Sequence, residues 1–228
     1  YDDFSDDLSL NKIIELKNDK IRIIRNTTRG KDYSLNQMKA IFEALKKSKG
    51  EIVCILDSDD FFKRNKIRKV VNFFNQNDKQ EILFDKPINY FDRKKQYKDK
   101  KVFRTRYLKW PIFPPTSCIS LRSKNLKNIE KKIFINRFQE LWFDFRVATF
   151  FAIKKKQFNV LDAYLTYYRQ HEASFDRKYK KYVNFDWWHR RAQAYDFLKY
   201  IDRKIYKKQF FSFDNLITKL IIRLTSSY

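Results

Sequence analysis

A short apolar run that ends in a cluster of carboxylates constrains the fold more than any other part of the sequence. Residues 51–56 read Glu-Ile-Val-Cys-Ile-Leu, and they lead directly into Asp57-Ser-Asp-Asp60. An apolar segment of this length predicts a strand buried on both faces, as in a mainly parallel sheet. In open α/β sheets the ligand crevice lies at the carboxyl ends of the strands. We therefore expect the carboxylates to lie in such a crevice.

Three carboxylates in a partly buried crevice need a positive partner. Two carboxylates about 4 Å apart repel by roughly 1 kcal/mol in water and by several times more in a dry cleft. A divalent cation removes that cost, and carboxylate oxygens suit Mg²⁺ or Mn²⁺. The alternative is a solvated acidic turn that caps the next helix, because Asp is a good N-cap residue.

Strands and helices alternate along the first third of the chain. Apolar runs predict strands at residues 21–24, 51–56 and 81–84, and helical spacing of apolar residues predicts helices at 35–49 and 63–77. Connections of helical length between strands are typical of crossover units. The predicted class is therefore α/β, with a Rossmann-like, mainly parallel sheet flanked by helices.

Composition narrows the possible partners. The chain has 228 residues, of which 43% are hydrophobic, so a sizeable core is available and disorder is disfavoured. The net charge of +24 would attract an anionic partner. The basic residues are spread over many segments rather than concentrated, so no nucleic acid is expected. Cys54 and Cys118 lack paired spacing, which indicates reduced thiols and a cytoplasmic protein.

Three blocks follow one another at a family-specific spacing. They are Asp2-Asp3-Phe-Ser5, then Arg29-Gly-Lys-Asp-Tyr-Ser-Leu-Asn36, then Ile55-Leu-Asp-Ser-Asp-Asp60. Their order and spacing resemble glycosyltransferase family 2, which has the GT-A fold and uses nucleotide-sugar donors. The resemblance covers residues 1–175 and implies that this domain lacks the family's first strand and helix. We therefore expect the chain to be part of a longer protein.

The resemblance implies a donor-side role for five residues of these blocks. Asp3 would contact the nucleotide base, and Lys31 would lie along the nucleotide. Asp57 and Asp59 would also bind the nucleotide. Asp59 and Asp60 would hold a Mn or Mg ion on the diphosphate.

Asp144 stands just before a predicted helix at residues 145–156. The helix dipole alone favours an acidic residue there. In the resembling family an Asp at this point, often preceded by Glu, is the general base that deprotonates the acceptor hydroxyl. In this chain Phe143 occupies the preceding position. The chain therefore keeps the family's base and lacks its acidic neighbour.

Three more side chains are candidates. The resemblance places a Tyr-Arg-x-His segment near the diphosphate, which implies that His171 completes the metal shell or binds phosphate, and that Arg169 lies on the diphosphate or acceptor side. A surface His after a strand is the alternative. Trp110 opens a Pro-marked turn where the resemblance places the acceptor-side loop. Trp110 could stack on a sugar ring or be a buried structural residue.

Residues 176–228 leave the family pattern and predict a helical extension packed on the first domain. The last predicted helix, at 213–224, has an apolar stripe with Lys219 and Arg223 opposite. The stripe consists of Phe213, Leu216, Ile217, Leu220, Ile221 and Leu224. Packing onto the catalytic domain is the preferred use of this stripe. Peripheral contact with an anionic membrane surface is the alternative.

Together these features predict a metal-dependent, inverting glycosyltransferase. It would move a sugar from a nucleotide-diphosphate sugar, expected to be a UDP-sugar, to a hydroxyl of a glycan or lipid-linked acceptor in cell-surface glycan or lipopolysaccharide synthesis. The expected location is cytoplasmic, with association at the inner face of the membrane as an option. The alternative is a non-catalytic basic domain that binds nucleic acid or sugar, for which the basic and aromatic residues at 85–109 would form the surface.

Overall fold

Six strands form one mixed sheet. The computed structural model describes residues 1–91, 94–97, 110–170, 179, 182–209 and 212–225. The strands are β1 Ile52–Cys54, β2 Phe61–Phe62, β3 Ile82–Phe91, β4 Lys94–Tyr97, β5 Ile119–Arg122 and β6 Val160–Gln170. Their order across the sheet is β1-β5-β3-β6-β2, and β4 pairs with β3.

Eight helices flank the sheet within the described ranges. They are α1 Ser9–Glu15, α2 Tyr33–Lys47, α3 Lys66–Gln76, α4 Leu126–Ile133, α5 Phe143–Phe150, α6 Phe185–Ile201, α7 Arg203–Gln209 and α8 Phe213–Thr225. A 3₁₀ turn, Thr116–Cys118, precedes β5, and a π turn, Phe151–Lys155, continues α5. The predicted α/β class and the helical C-terminal region are confirmed.

The expectation of a mainly parallel sheet is wrong in detail. β5 runs antiparallel to both of its neighbours, with Val53 opposite Leu121 on β1 and Phe84 opposite Ile119 on β3. Among the described strand pairs, β3 and β6 are the pair that runs parallel. A strand inserted in reverse between β1 and β3 leaves the helix–strand alternation of the sequence unchanged, so the apolar pattern does not reveal it.

The predicted strand at residues 21–24 is a single bridge rather than a sheet strand. Asp2 pairs with Arg25 in parallel, and the Asp2 N–H donates to the Ile24 carbonyl at 2.8 Å. The basic and aromatic segment at residues 85–109 begins as a β3–β4 hairpin. Residues 92, 93 and 98–109 lie outside the described ranges.

The main core lies between the sheet and helices α5 and α6. Phe84 and Ile119 on the sheet contact this core, and Phe197 and Leu198 bring α6 into it. Every residue of α5 is buried except Asp144. A buried helix therefore carries one acidic residue to the surface at its first turn.

A buried ion pair connects helix α3 to the sheet. Lys66 on α3 and Asp85 on β3 are both fully buried, with Nζ 2.7 Å from Oδ2. Lys66 Nζ also donates to the Ser117 carbonyl and to Thr166 Oγ1, each at 2.7 Å. Burial raises the pKa of Asp85, although the Lys66 charge opposes this. The pair holds α3, β3, β6 and the 3₁₀ turn in one arrangement.

Removing one partner of this pair should destabilise the fold strongly. Lys66→Met leaves the Asp85 carboxylate buried without its cation, so we expect the free energy of unfolding to fall by about 3–5 kcal/mol in urea denaturation. Lys69→Met, at an exposed position of the same helix, is the matched control and should change it by less than about 0.5 kcal/mol. The double variant Lys66→Met/Asp85→Leu should recover most of the loss. A loss under about 1 kcal/mol in the single variant would contradict this role.

Candidate active site

The acidic loop, residues 57–60, is anchored by backbone and side-chain hydrogen bonds from two sides. The Asp57 N–H donates to Ser117 Oγ at 2.9 Å, so the 3₁₀ turn holds the start of the loop. The Arg169 N–H donates to Asp60 Oδ1 at 2.8 Å, so the end of β6 holds the other side. The loop is thereby fixed between β1 and β6, at the strand end where the sequence predicted a crevice.

Asp60 is a buried carboxylate with one unsatisfied oxygen. Its side chain is buried, and no hydrogen-bond partner among the described residues reaches Oδ2. Burial raises the pKa of Asp60 to about 6, although hydrogen bonds from Ser117 and the Arg169 backbone oppose the shift. An unsatisfied buried carboxylate oxygen is costly unless a cation or donor reaches it.

Asp57 lies in a field of like charges. Burial, and after it the charges of Asp60, Asp144 and Asp59 in that order of size, together raise its pKa to about 7. The hydrogen bond from Gln37 Nε2 to Asp57 Oδ1, at 3.3 Å, acts in the opposite direction. The structure thus brings Asp144 within electrostatic range of the acidic loop, from which it is distant in sequence.

Gln37 connects the acidic loop to the first turn of α5. Its Nε2 donates to Asp57, and its Oε1 accepts the Phe143 N–H at 3.4 Å. The Gln37 side-chain amide on α2 therefore contacts both the acidic loop and Phe143, the residue before Asp144. Sequence reasoning did not select Gln37. Its position directly after Asn36 in the second block was the available signal.

A buried arginine holds the segment that leads into α5. Arg146 is fully buried, and burial lowers its pKa to about 10. Its guanidinium donates to five backbone carbonyls, those of Ile133, Ile135, Arg137, Phe138 and Leu141. These bonds fix the turn between α4 and α5, and so they fix where Asp144 emerges. A single basic residue among the apolar residues of α5 was the signal that sequence reasoning passed over.

Asp3 and Lys31 lie along the other side of α2. Asn26 Nδ2 donates to Asp3 Oδ1 at 2.9 Å. Asn26 also lines a cavity of about 430 Å³ with Gly30 and Lys31. A Cβ at Gly30 would lie 2.1 Å from Asn36 Oδ1, so any other residue here would displace the Asn36 side chain. No described contact joins Asp3 to the acidic loop.

The remaining candidates fall in different places. Arg169 lies beside the acidic loop, where its charge lowers the pKa of Asp60 against the effect of burial. Trp110 packs edge-on against Phe145 and Tyr195, with ring centroids 5.6 and 5.3 Å away. It is therefore part of an aromatic cluster next to the first turn of α5. His171 lies outside the described residues.

The sequence model of the family described as glycosyl transferase family 2 matches residues 1–161, which is most of the chain. The chain belongs to glycosyl transferase family 2. The resemblance inferred from the three blocks is therefore confirmed. No curated protein matches the sequence.

Solved structures show the same fold at low sequence identity. The crystal structure of S. aureus TarS 1–349 in complex with UDP is similar with a TM-score of 0.57 and 17% identity, over 93% of this chain and 61% of that one. The crystal structure of S. aureus TarS is similar with a TM-score of 0.57 and 15% identity, over 90% of this chain and 43% of that one. The chain thus spans less than two thirds of each of these two TarS chains. The likeness confirms the GT-A type of fold.

The metal ligands of this family 2 chain stay a prediction. Within the ranges that the structure describes, no group of three or more His, Cys, Asp or Glu side chains is arranged to hold a metal ion. The predicted set of Asp59, Asp60 and His171 includes one residue beyond those ranges. The unsatisfied Asp60 Oδ2 is the observation that fits a cation at this loop.

The described part of this family 2 chain contains no helix with the length and hydropathy needed to cross a membrane. The predicted boundary near residue 175 falls within the undescribed segment at 171–178 and stays a prediction.

Proposed function

We propose that the protein is an inverting glycosyltransferase that transfers a sugar from a nucleotide-diphosphate sugar, in the first instance a UDP-sugar, to an acceptor hydroxyl. The observation that carries the proposal is the approach of Asp144 to the acidic loop. Asp144 is the one residue of α5 that is not buried, and its charge is felt by Asp57. A base for the acceptor and carboxylates for the donor thus share one site.

Donor binding is assigned to the two sides of α2. Asp3 would contact the base, Lys31 would lie along the nucleotide, and Asp57 with Asp59 would bind the ribose side. A Mn or Mg ion held by Asp59, Asp60 and His171 would neutralise the diphosphate as it leaves. The orphaned Oδ2 of Asp60 supports a cation at this point.

Asp144 is assigned as the general base. The acceptor oxygen attacks the anomeric carbon on the face opposite the leaving diphosphate, and its proton passes to the Asp144 carboxylate. The new C–O bond forms as the bond to the diphosphate breaks, so the configuration inverts. Arg146 donates to five carbonyls of the segment that leads into α5. These hydrogen bonds fix the start of the helix and thereby the position of the Asp144 carboxylate.

The competing functions fit the site less well. A nucleic-acid-binding domain gains nothing from Asp57, Asp59, Asp60 and Asp144 in one crevice, because these carboxylates repel phosphate. A sugar-binding domain without catalysis would keep donor affinity and lack turnover. The acceptor class proposed is a glycan or a lipid-linked glycan of the cell surface, made on the cytoplasmic side.

The apolar stripe of α8 supports contact with a membrane surface. Asn215 and Thr218 are the buried residues of this helix, whereas four of the six residues of the stripe that was expected to pack are exposed, and Ile217 and Ile221 are half-buried. Phe213 is 79%, Leu220 58% and Leu224 60% exposed. Lys219 and Arg223 flank this stripe, and the chain carries a net charge of +24. An exposed apolar stripe beside cationic residues suits an anionic lipid surface, and we assign that surface as the occupant.

Metal-dependent donor binding should depend on Asp60. We expect Asp60→Asn to weaken UDP binding in the presence of Mn²⁺ at least tenfold, or about 1.4 kcal/mol, in isothermal titration calorimetry. When EDTA removes the metal, the UDP affinity of Asp60→Asn should differ little from that of the parent. The reason is that the negative charge lost from Asp60 acts on UDP only through the cation. Asp78→Asn, whose side chain is 90% exposed and outside the site, is the matched control. Unchanged Mn²⁺-dependent affinity in Asp60→Asn would refute the metal assignment.

Transfer should depend on Asp144 more than binding does. Asp144→Asn keeps the shape and removes the base, so kcat should fall by about 10²–10⁴ while the affinity for UDP stays within twofold. The measurement is initial-rate UDP release with a sugar acceptor, together with UDP titration of the same variant. Equal kcat values in the variant and the parent would rule Asp144 out as the base.

Membrane contact should depend on the α8 stripe. The parent should sediment with vesicles of phosphatidylglycerol and phosphatidylcholine, and less with phosphatidylcholine alone. Leu220→Ser/Leu224→Ser should lose most of that binding, because it removes the apolar part of the contact. Leu8→Ser/Leu16→Ser serves as the control, because these two leucines flank α1 and are 66% and 64% exposed. Equal loss in both pairs, or no binding by the parent, would contradict the proposal.

A further inference from the structure

The start of helix α2 lies against the backbone that leads into α5. Ser34 Oγ donates to the Gln139 carbonyl, and Gln139 Nε2 donates to Asp32 Oδ2 at 3.4 Å. One turn further along α2, Gln37 Oε1 accepts the Phe143 N–H at 3.4 Å. Helix α2 therefore contacts the chain up to the residue directly before the proposed base.

Gln37 differs from the other α2 residues of this contact because it also reaches the acidic loop. Its Nε2 donates to Asp57 Oδ1 at 3.3 Å. The Phe143 N–H belongs to the first turn of α5, where backbone N–H groups lack a partner within the helix. A primary amide suits this position, because its NH₂ group donates to a carboxylate while its carbonyl accepts a backbone N–H.

The start of α2 also carries the donor-side turn. Asn36, the residue before Gln37, donates from Nδ2 to the Gly30 carbonyl at 2.9 Å. Lys31, which is assigned to lie along the nucleotide, follows Gly30 in this turn. Residues 30–37 thus bring together the donor-side turn, the contact with the acidic loop and the contact with α5.

The two hydrogen bonds of Gln37 are longer than those that hold the segment before α5. Arg146 Nε donates to the Leu141 carbonyl at 2.9 Å, and the Glu140 N–H donates to Gln193 Oε1 at 2.9 Å. The common N–H···O distance is about 2.9 Å. The segment is thus held firmly by α6 and Arg146, whereas Gln37 holds the start of α5 by contacts that a small movement of the acidic loop can tighten or break.

The Asp144 carboxylate is bound to the same first turn of α5. The Phe145 N–H donates to Asp144 Oδ1 at 2.7 Å, and Phe143, which donates to Gln37, directly precedes Asp144. The charge of Asp144 also raises the pKa of Asp57, so the two carboxylates lie within electrostatic range. A shift of the Phe143 N–H therefore moves the Asp144 carboxylate relative to the acidic loop.

We propose that Gln37 is a positioning residue that couples occupancy of the donor site to the placement of Asp144. This assignment rests on the proposed glycosyl transfer, in which Asp57 binds the nucleotide. A nucleotide that fixes the Asp57 carboxylate also fixes the Gln37 amide, and the amide carbonyl then holds the Phe143 N–H at the start of α5. The base is thus set in place once the donor is bound, which favours binding of the donor first and the acceptor second.

Trp142 can report the start of α5, because it directly precedes Phe143 and is half-buried. The tryptophans are replaced by 5-fluorotryptophan, and Trp142→Phe assigns the fluorine resonance of Trp142. We expect UDP with Mn²⁺ to shift this resonance in the parent. In Gln37→Met, which removes both hydrogen bonds at similar side-chain length, the shift should fall below about half of the parent value. The UDP affinity should stay within about threefold in calorimetry, because one long hydrogen bond contributes little.

Gln193→Met is the matched control. It removes the hydrogen bond of the Glu140 N–H to α6 and leaves the link to the acidic loop intact, so it should keep the UDP-induced shift of the parent. Gln37→Asn is shorter by one methylene and cannot reach both partners, so it should behave like Gln37→Met. An equal loss of the shift in Gln193→Met, or an unchanged shift in both Gln37 variants, would overturn the proposal.

UDP binding by the parent separates this proposal from the proposed function. A parent that binds UDP with Mn²⁺ and shows no shift at Trp142 would refute the coupling alone. A parent that binds no UDP would refute the donor assignment and the coupling with it. A shift that is present in the parent and lost in the Gln37 variants, while they still bind UDP, supports both.

Discussion

The buried pair of Lys66 and Asp85 is the interaction on which the site depends. Lys66 binds the carbonyl of Ser117, and the hydroxyl of Ser117 in turn accepts the Asp57 N–H. The cation beneath the sheet therefore fixes the turn that supports the acidic loop. An unpaired charge at either position would be costly to bury, so the arrangement of α3, β3 and β6 and the position of the loop are set together.

Helix α5 positions the carboxylate of Asp144. Its buried body packs on the sheet, Asp144 emerges at its first turn, and Arg146 holds the preceding turn by five carbonyls. The charge of Asp144 at this helix end raises the pKa of Asp57 in the acidic loop, so the helix end and the loop share one electrostatic environment.

Much of the candidate site could be predicted because its signals are local. Asp57, Asp59 and Asp60 follow an apolar run, and Asp144 opens a helix, so each is visible within a few residues of sequence. Lys66, Gln37 and Arg146 were not found this way, although Gln37 and Arg146 each left a weak local signal. Each is a polar residue that looks solvated in sequence, and its role comes from partners that only folding brings near. The antiparallel insertion of β5 was missed for the same reason.

The sequence by itself determined the family, the α/β class and which carboxylates stand at strand and helix ends, because the period of apolar residues and short polar motifs are properties of neighbouring positions. Tertiary structure alone decided the strand order, the burial of Lys66, and the face of α8 that packs. Helix α8 has an apolar stripe in its sequence, yet the residues that the helix buries are Asn215 and Thr218, which lie outside that stripe. Periodicity defines a face, whereas the energy of burial depends on which surface lies opposite it.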